Sequence, residues 1–145
     1  MDEKILFLGE WCRMYDQKHV SSNLDHDILP CPWDEWEKLD QRFTYLESLY
    51  EKYLENLASN LNDSHNEDHS LRYWRIILGP WLRLFIDVIY DRYLSIKTAI
   101  DSTKVTHTWI PPLKPERWVP KDTNAFLYSA MGNNFNLYLG AVPDN

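Results

Sequence analysis

The chain has 145 residues, of which 44% are hydrophobic, so its composition predicts one globular domain with its own core and excludes a disordered protein. Its net charge of −7, without any basic tail or basic block, argues against nucleic acid or an anionic membrane surface as a partner. Cys12 and Cys31 lack the short spacing of metal ligands, and no signal-peptide pattern precedes Lys4, so we expect a reducing, cytoplasmic setting.

The first predicted element is a strand. Residues 4–9 form a largely apolar run that ends in glycine, which is typical of a strand covered on both faces in a parallel sheet. Residues 16–33 are polar, contain prolines and lack clear periodicity, so we predict a loop there.

A candidate site directly follows this strand, because open α/β sheets bind ligands at the carboxyl ends of their strands. Glu10 is the candidate general base at this position, and Trp11 is placed to stack on a substrate ring. The segment lacks the glycine pattern of a dinucleotide site. The structural alternative, in which Gly9 forms a turn, Trp11 packs and Glu10 caps the next element, stays equally open.

Two long helices are predicted in the middle of the chain. Apolar residues recur at helical spacing from residue 39 to residue 61, and Asp34 followed by Glu37 resembles a capping box at the start of the first helix. The polar segment 62–68 ends that helix, and Asp68 or Ser70 is expected to cap a second helix that continues to about residue 100.

The second helix contains a proline and two charged residues in an apolar context. Pro80 removes the hydrogen bond to the carbonyl of Ile76, so a kink is expected there. Residues 76–90 are apolar enough to suggest a membrane span, but Arg83 and Asp87 would each cost about 2.5 to 3.5 kcal/mol at a bilayer centre. These two residues are four apart and able to pair on one helix face. We therefore predict a buried helix of a soluble protein and no transmembrane segment.

The remaining predicted elements are short. β-Branched and aromatic residues over 105–110 predict a second strand, which the following prolines stop. Asp122 is expected to cap a short helix through Met131, and residues 133–141 are expected to form another. Only two strands emerge, and the first needs covering on both faces, so we predict a helix-rich α/β protein that is part of a larger α/β unit.

A cationic and aromatic cluster opens the second long helix. Arg72 and Arg75 lie where the positive end of the helix dipole favours acidic residues, so an anion should compensate them. His69 lies three residues before Arg72 on the same face, and these side chains are candidates to bind a phosphate or carboxylate. The alternative is a buried ion pair with an acidic side chain near the start of the first helix. The acidic candidates are Asp34, Glu35 and Glu37.

A metal site is the weaker interpretation of the neighbouring polar segment. His65 and His69 are four residues apart with carboxylates between them, but the order of ligands in known metalloproteases is absent. We therefore expect a solvated loop, and no bound metal.

Three blocks of sequence resemble, in the same order, the N-terminal segment of a bacterial transferase family found in O-antigen and surface-polysaccharide gene clusters. The blocks are residues 4–12 (KILFLGEWC), residues 32–34 (PWD) and residues 69–82 (HSLRYWRIILGPWL). The resemblance spans most of the chain. Members of that family are much longer than this chain and resemble two-domain glycosyltransferases.

The resemblance implies that residues 1–145 form a single domain, the N-terminal part of a longer two-domain transferase with a partial Rossmann-like, glycosyltransferase B-like fold. It implies a nucleotide sugar as donor substrate, a glycan or lipid-linked glycan as acceptor, and no further cofactor. In such enzymes the N-terminal half mostly handles the acceptor, so this chain alone is expected to be catalytically incomplete and to pack against a C-terminal domain. The expected location is the cytoplasm, with peripheral association at the inner membrane through other parts of the pathway.

Two functional hypotheses follow. In the first, the chain is part of a glycosyltransferase in which Glu10 and His69 are catalytic and Trp11, Arg72 and Arg75 bind substrate. In the second, the chain is a non-catalytic helical binding or regulatory module that kept the N-terminal fold. That module would expose aromatic side chains where the second domain of the transferase packs.

Overall fold

The computed structural model describes residues 4–13, 19, 22–102, 105–108 and 119–131. These residues divide into two compact units, one made of Met1–Asp34 with Asp91–Asn145 and the other of Glu35–Tyr90. The described part is rich in helix and contains one short parallel sheet. The predicted helix-rich combination of α and β elements is therefore present.

The sheet belongs to the first unit. Its strands are β1 (Ile5–Phe7) and β2 (His26–Ile28), which pair in parallel with Ile5 opposite His26. The backbone N–H of Leu29 prolongs the pairing by donating to the carbonyl of Phe7 at 2.9 Å. The strand predicted over residues 4–9 is confirmed at its centre, but Ile5 is 38% exposed, so the expectation of cover on both faces is wrong.

β2 lies inside the segment that the sequence predicts to be a loop. Its three residues, His26, Asp27 and Ile28, mix charged and apolar side chains and are too few for a periodic pattern to develop. The strand forms because its backbone pairs with β1, which is a tertiary contact that local sequence does not encode.

The C-terminal part of the first unit is only partly as predicted. Residues 105–108 are exposed and form no strand, so the predicted second strand is wrong for those residues, and its last two positions lie outside the described residues. A short helix does follow, over Thr123–Met131, and its start is capped as expected, because the Asp122 carboxylate accepts the N–H of Ala125 at 2.7 Å. The helix predicted over 133–141 also lies outside the described residues.

The second unit is built on two long helices, as predicted. We label them α1 (Trp36–His65) and α2 (Leu71–Ser102), and the short helix Thr123–Met131 is α3. Residues of α2 up to Tyr90 belong to the second unit, and those from Asp91 onward belong to the first. None of the helices in the described part of the chain is long and apolar enough to span a membrane.

The start of α1 differs from the predicted capping box. The N-cap is Glu35, which makes no side-chain capping bond, and Asp34 lies in a preceding turn, Pro32–Asp34. The Glu35 carboxylate instead pairs with Lys38 and, at 2.7 Å, with Arg42 one turn further along. The capping prediction is wrong because Asp34 closes the preceding turn, where its N–H donates to the carbonyl of Cys31 at 3.1 Å, and the helix begins two residues later.

The turn between the helices is closed by asparagine. Asn66 has φ 54° and ψ 46°, in the left-handed region that asparagine tolerates better than most residues. The N–H of Glu67 donates to the carbonyl of Asn62 at 2.9 Å, and the N–H of Asn66 donates to that of Asp63 at 3.4 Å. Ser70 then caps α2 by accepting the N–H of Tyr73 at 3.3 Å, which confirms one of the two predicted caps.

The core of the second unit lies along one stripe of each helix. On α1 the buried side chains are Leu46, Tyr50, Leu54 and Ala58, with Leu54 fully enclosed at 0% exposure. On α2 they are Trp74, Leu82 and Ile86. Spacings of four and eight residues place each set on one face, as the apolar periodicity predicts.

α2 runs through the Gly79-Pro80 step as one helix. Pro80 and Ile76 are both exposed, so the carbonyl that loses its partner lies on the solvent side, where water is available to it. Gly79 is buried on the opposite side, and a Cβ added there would lie 2.6 Å from the hydroxyl oxygen of Tyr50. The glycine therefore allows α1 and α2 to approach closely at this point.

Replacing Gly79 with alanine is expected to lower the free energy of unfolding by about 1 to 2 kcal/mol, because overpacking outweighs the gain in helix propensity. In a Tyr50→Phe background the added methyl group has room, so Gly79→Ala is expected to raise the free energy of unfolding there. Urea denaturation of the four proteins measures both differences. A stabilising effect of Gly79→Ala in the wild-type background would exclude this close contact.

Candidate functional site

The carboxyl ends of β1 and β2 lie at the same edge of the sheet, because the two strands are parallel. A short helical turn lies just beyond each strand, Glu10–Cys12 after β1 and Pro32–Asp34 after β2. This edge is where open α/β sheets place their ligands. The sequence blocks 4–12 and 32–34 therefore contain the two turns at this edge.

Trp11 is held in place from two sides. A Cβ on Gly9 would lie 2.5 Å from the indole nitrogen of Trp11, so only glycine leaves room for the ring in this orientation. The guanidinium carbon of Arg92 lies 4.3 Å from the centre of the Trp11 ring, which is a cation–π contact. The indole is therefore oriented before any ligand arrives.

Trp33 is tied to the same helix segment. Its indole nitrogen donates a hydrogen bond to one carboxylate oxygen of Asp91 at 2.5 Å, and the other oxygen of that carboxylate accepts from Arg92. The contacts form a chain, Trp11–Arg92–Asp91–Trp33, that links the two turns. We call these four residues the strand-end cluster. It combines two indole rings with a partly buried carboxylate and guanidinium, whose side chains are 26% and 16% exposed.

Glu10 lies on the solvent side of this edge. Its side chain is 75% exposed, and one carboxylate oxygen lies 3.3 Å from a terminal nitrogen of Arg13. The Nε atom of Arg13 is buried and has no hydrogen-bond partner among the described residues. Glu10 is therefore accessible to a substrate hydroxyl, and its charge is balanced by a neighbouring cation.

Cys12 closes the first turn but is poorly suited to nucleophilic chemistry. Burial raises the pKa of its thiol, although backbone hydrogen bonds at Leu8 and Gly9 and the charge of Arg92 act in the opposite direction. Because the thiolate is the reactive form, a raised pKa leaves the side chain protonated near neutral pH. Cys12 is therefore better suited to packing within the turn than to catalysis.

His69 lies in the second unit, at the turn between α1 and α2. Its ring stacks on Tyr73, with the ring centres 4.0 Å apart, and its Nε2 lies 3.7 Å from a carboxylate oxygen of Glu67. Asn62 fixes its backbone by accepting the His69 N–H at 3.1 Å and donating to the His69 carbonyl at 2.9 Å. The imidazole is thus rigidly presented and partly exposed.

Arg75 and Arg72 have different surroundings, although the sequence treats them alike. Arg75 makes two hydrogen bonds to the carboxylate of Glu51 on α1, at 2.5 and 2.6 Å, which raises the pKa of Arg75 and lowers that of Glu51. Arg72 is exposed and has no ion pair within the part of the chain that the structure describes. The sequence predicts an anion that compensates these arginines. For Arg75 that anion is Glu51, and it is none of the three acidic residues suggested near the start of α1.

Replacing Glu51 with glutamine is expected to lower the melting temperature slightly at pH 7. The pKa of Glu51 is depressed by Arg75, so its stabilising contribution is present above the unfolded-state pKa and is lost as the pH falls through the folded-state pKa. The difference from the wild type should therefore shrink in acid and in high salt. Glu55→Gln, on the exposed face of α1, is the control and should show no such trend; equal behaviour of the two variants would argue against the pair.

A third arginine, Arg83, also reaches across to α1. It pairs with Glu47, and its guanidinium carbon lies 4.6 Å from the centre of the Tyr50 ring. The sequence suggests Asp87 as its partner, but the closer contact is the one to α1. Burial raises the pKa of the Asp87 carboxyl, against the opposing effect of Arg83.

The predicted site residues thus fall in two places. Glu10 and Trp11 lie in the first unit, whereas His69, Arg72 and Arg75 lie in the second. The sequence does not point to Asp91 and Arg92, because a charged pair inside a long helix resembles any solvated helix face. Among the described residues, no group of three or more histidine, cysteine or acidic side chains is arranged to hold a metal ion.

Comparison with known protein families matches residues 1–141 to the family described as LIC12162 family transferase. No curated protein and no solved structure gives a significant match. The match covers nearly the whole chain, including both turns of the strand-end cluster and the turn between α1 and α2.

Proposed function

Because the chain belongs to the LIC12162 family of transferases, we propose that it is the N-terminal, acceptor-side part of a glycosyltransferase of cell-surface polysaccharide biosynthesis, with O-antigen as the product class. The donor in this proposal is a nucleotide sugar, and the acceptor is a glycan or lipid-linked glycan. The two units form the partial Rossmann-like, N-terminal part of a longer two-domain enzyme of the glycosyltransferase B-like type. Its C-terminal part holds the donor nucleotide, and the reaction takes place on the cytoplasmic side of the inner membrane.

The strand-end cluster is the observation that carries this proposal. Saccharide sites combine flat aromatic surfaces, which cover the C–H faces of sugar rings, with a few fixed polar groups that hold hydroxyls. Trp11 and Trp33 supply the aromatic surfaces, and Asp91 and Arg92 supply the polar groups at the same sheet edge. An acidic chain without a basic block suits a neutral or locally charged glycan better than a polyanion.

Glu10 is the general base in this proposal. The acceptor hydroxyl oxygen forms a bond to the anomeric carbon of the donor sugar, the bond from that carbon to the nucleotide diphosphate breaks, and the hydroxyl proton moves to the Glu10 carboxylate. Its high exposure makes it accessible to an acceptor hydroxyl, and a terminal nitrogen of Arg13 lies 3.3 Å from one of its carboxylate oxygens. Trp11, directly beside it, positions the acceptor ring.

Within the second unit, His69, Arg72 and Arg75 are the side chains proposed to contact an anionic group of a saccharide ligand. Of the two arginines, Arg72 is the one with an exposed guanidinium. Arg75 is already bound by Glu51, so it contributes positive electrostatic potential rather than a free hydrogen-bond donor. The stacked and partly exposed ring of His69 is placed to donate a hydrogen bond to, or exchange a proton with, the same group.

Titration calorimetry with sugar 1-phosphates tests this anion contact. Arg72→Ala is expected to weaken binding about tenfold, because a charge-assisted hydrogen bond is lost, and Arg75→Ala to weaken it less. Lys52→Ala removes an exposed cation from α1 and should leave the affinity unchanged. Equal affinities for wild type and Arg72→Ala would refute the assignment.

A second candidate function is a non-catalytic binding module. The observation in its favour is the number of large apolar side chains that the second unit exposes, headed by Trp36 at 81% and Ile76 at 69%. This candidate and the first differ in whether the strand-end cluster binds saccharide. The saccharide titration described in the Discussion therefore separates them.

A further inference from the structure

α2 is apolar on two opposite faces of its first half. One face holds the buried side chains Trp74, Leu82 and Ile86, which are 8%, 3% and 7% exposed and form the core with α1. The other, which we call the α2 outer face, consists of Tyr73, Ile76, Ile77, Pro80 and Leu84, spaced at helical intervals. Tyr73, Ile76 and Ile77 are 40%, 69% and 51% exposed. A helix that is apolar all round is normally covered on both sides, so this face predicts a partner.

Opposite charges mark the two ends of the α2 outer face. Arg72 lies at its N-terminal end and Asp87 at its C-terminal end, 15 residues or about 22 Å apart along the helix. A rotation of 100° per residue puts both on the same flank of the face. Neither residue makes an ion pair within 4 Å in the described part of the chain. Arg83, the basic residue near Asp87, is instead bound to Glu47.

A second copy of the same chain complements this pattern. If two α2 helices cross antiparallel about a two-fold axis at Pro80, Ile76 of one protomer faces Leu84 of its partner. Arg72 then comes within one residue of the partner's Asp87, and symmetry repeats that pairing at the other end. In antiparallel helix pairs, residues on the same flank meet across the axis, as these two do.

We propose that the α2 outer face is a homodimer interface, in which Arg72 and Asp87 pair reciprocally between protomers. The observations behind it lie in the second unit alone and do not require the proposed transferase activity. Because Arg72 is also the proposed anion contact, the two roles exclude each other at one guanidinium, and only the monomer leaves Arg72 open to a sugar phosphate. The face extends over about 16 Å from Tyr73 to Leu84, which is small for an interface. The dimer is therefore weak, with a dissociation constant on the order of 10 µM.

Sedimentation equilibrium from roughly 1 to 300 µM protein brackets that constant and tests the interface. The wild type is expected to pass from monomer to dimer across this range. Ile76→Lys places a charge in the centre of the face and should leave a monomer, with an unchanged helical circular dichroism spectrum because Ile76 is 69% exposed. Ile100→Lys is the matched control: the same residue type on the same helix, 65% exposed, but off the face, so it should dimerise like the wild type.

Charge exchange tests the antiparallel register. Arg72→Glu and Asp87→Lys should each raise the dissociation constant about tenfold, because each turns two attractive contacts per dimer into repulsive ones. The combined variant restores both pairs with the charges exchanged and should return to within about threefold of the wild type. No restoration in the combined variant overturns the register, and with it the reciprocal pairing.

Two results would overturn the interface itself. A wild-type protein that stays monomeric over the whole range means that some other partner, such as the remainder of a longer chain, covers the α2 outer face. A dimer that persists in Ile76→Lys means that the protein associates through another surface.

Discussion

Replacing Asn62 with alanine is expected to lower the free energy of unfolding by about 2 to 3 kcal/mol. One side chain satisfies three polar groups here: it accepts the backbone N–H of His69 at 3.1 Å and the indole N–H of Trp74 at 2.9 Å, and it donates to the carbonyl of His69 at 2.9 Å. Alanine leaves all three without a side-chain partner, and the indole of Trp74 is buried. The loss therefore combines missing hydrogen bonds with unsatisfied groups.

Chemical denaturation measures this effect, and two further variants define its origin. Asn60→Ala removes an exposed asparagine from the same helix and should change the stability by less than about 0.5 kcal/mol. Asn62→Asp keeps the two acceptor contacts and loses only the donor, so it should fall between Asn62→Ala and the wild type. An Asn62→Ala protein as stable as Asn60→Ala would mean that the turn does not depend on this side chain.

Replacing Trp11 with alanine is expected to weaken saccharide binding by about fivefold or more, because stacking on an indole ring contributes on the order of 1 kcal/mol or more. The ring is oriented by the space above Gly9 and by Arg92, so its loss removes a preformed surface. Isothermal titration with O-antigen oligosaccharides released by mild acid measures the change.

Two controls accompany the Trp11 variant. Trp36→Ala removes the single tryptophan of α1, which is 81% exposed, and should bind like the wild type. Gly9→Ala keeps the indole but displaces it, so it should reproduce much of the Trp11→Ala loss. If Trp36→Ala and Trp11→Ala lose affinity equally, the binding surface is not at the strand ends.

The long helices could be predicted because their signals are local and repeated. The apolar stripe of α1 and the Ser70 cap of α2 depend on spacing within a few residues, and both are found. β2 and the absent strand at 105–108 show the limit of such reasoning. A three-residue strand exists only through its neighbour, and β-branched side chains form no strand without one.

Of the strand-end cluster, the sequence predicts only Trp11 as a site residue. Trp11 is predicted to contact a ligand because it directly follows an apolar strand. Trp33 belongs to a short block of the family resemblance, which assigns it no role. Asp91 and Arg92 come from α2, and only folding reveals that they meet these two indoles. The partner of Arg75 is similar: electrostatics requires an anion, but Glu51 is one of several carboxylates on α1 that helical spacing alone does not distinguish.

The most direct test of the account follows the indole N–H signals of the tryptophans by nuclear magnetic resonance during titration with O-antigen oligosaccharides. We expect saturable shifts of the Trp11 and Trp33 signals with one common dissociation constant, and no shift of the Trp36 signal. If the Trp11 and Trp33 signals do not shift at saturating oligosaccharide, or shift no more than the Trp36 signal, the result would contradict a glycan site at the strand ends.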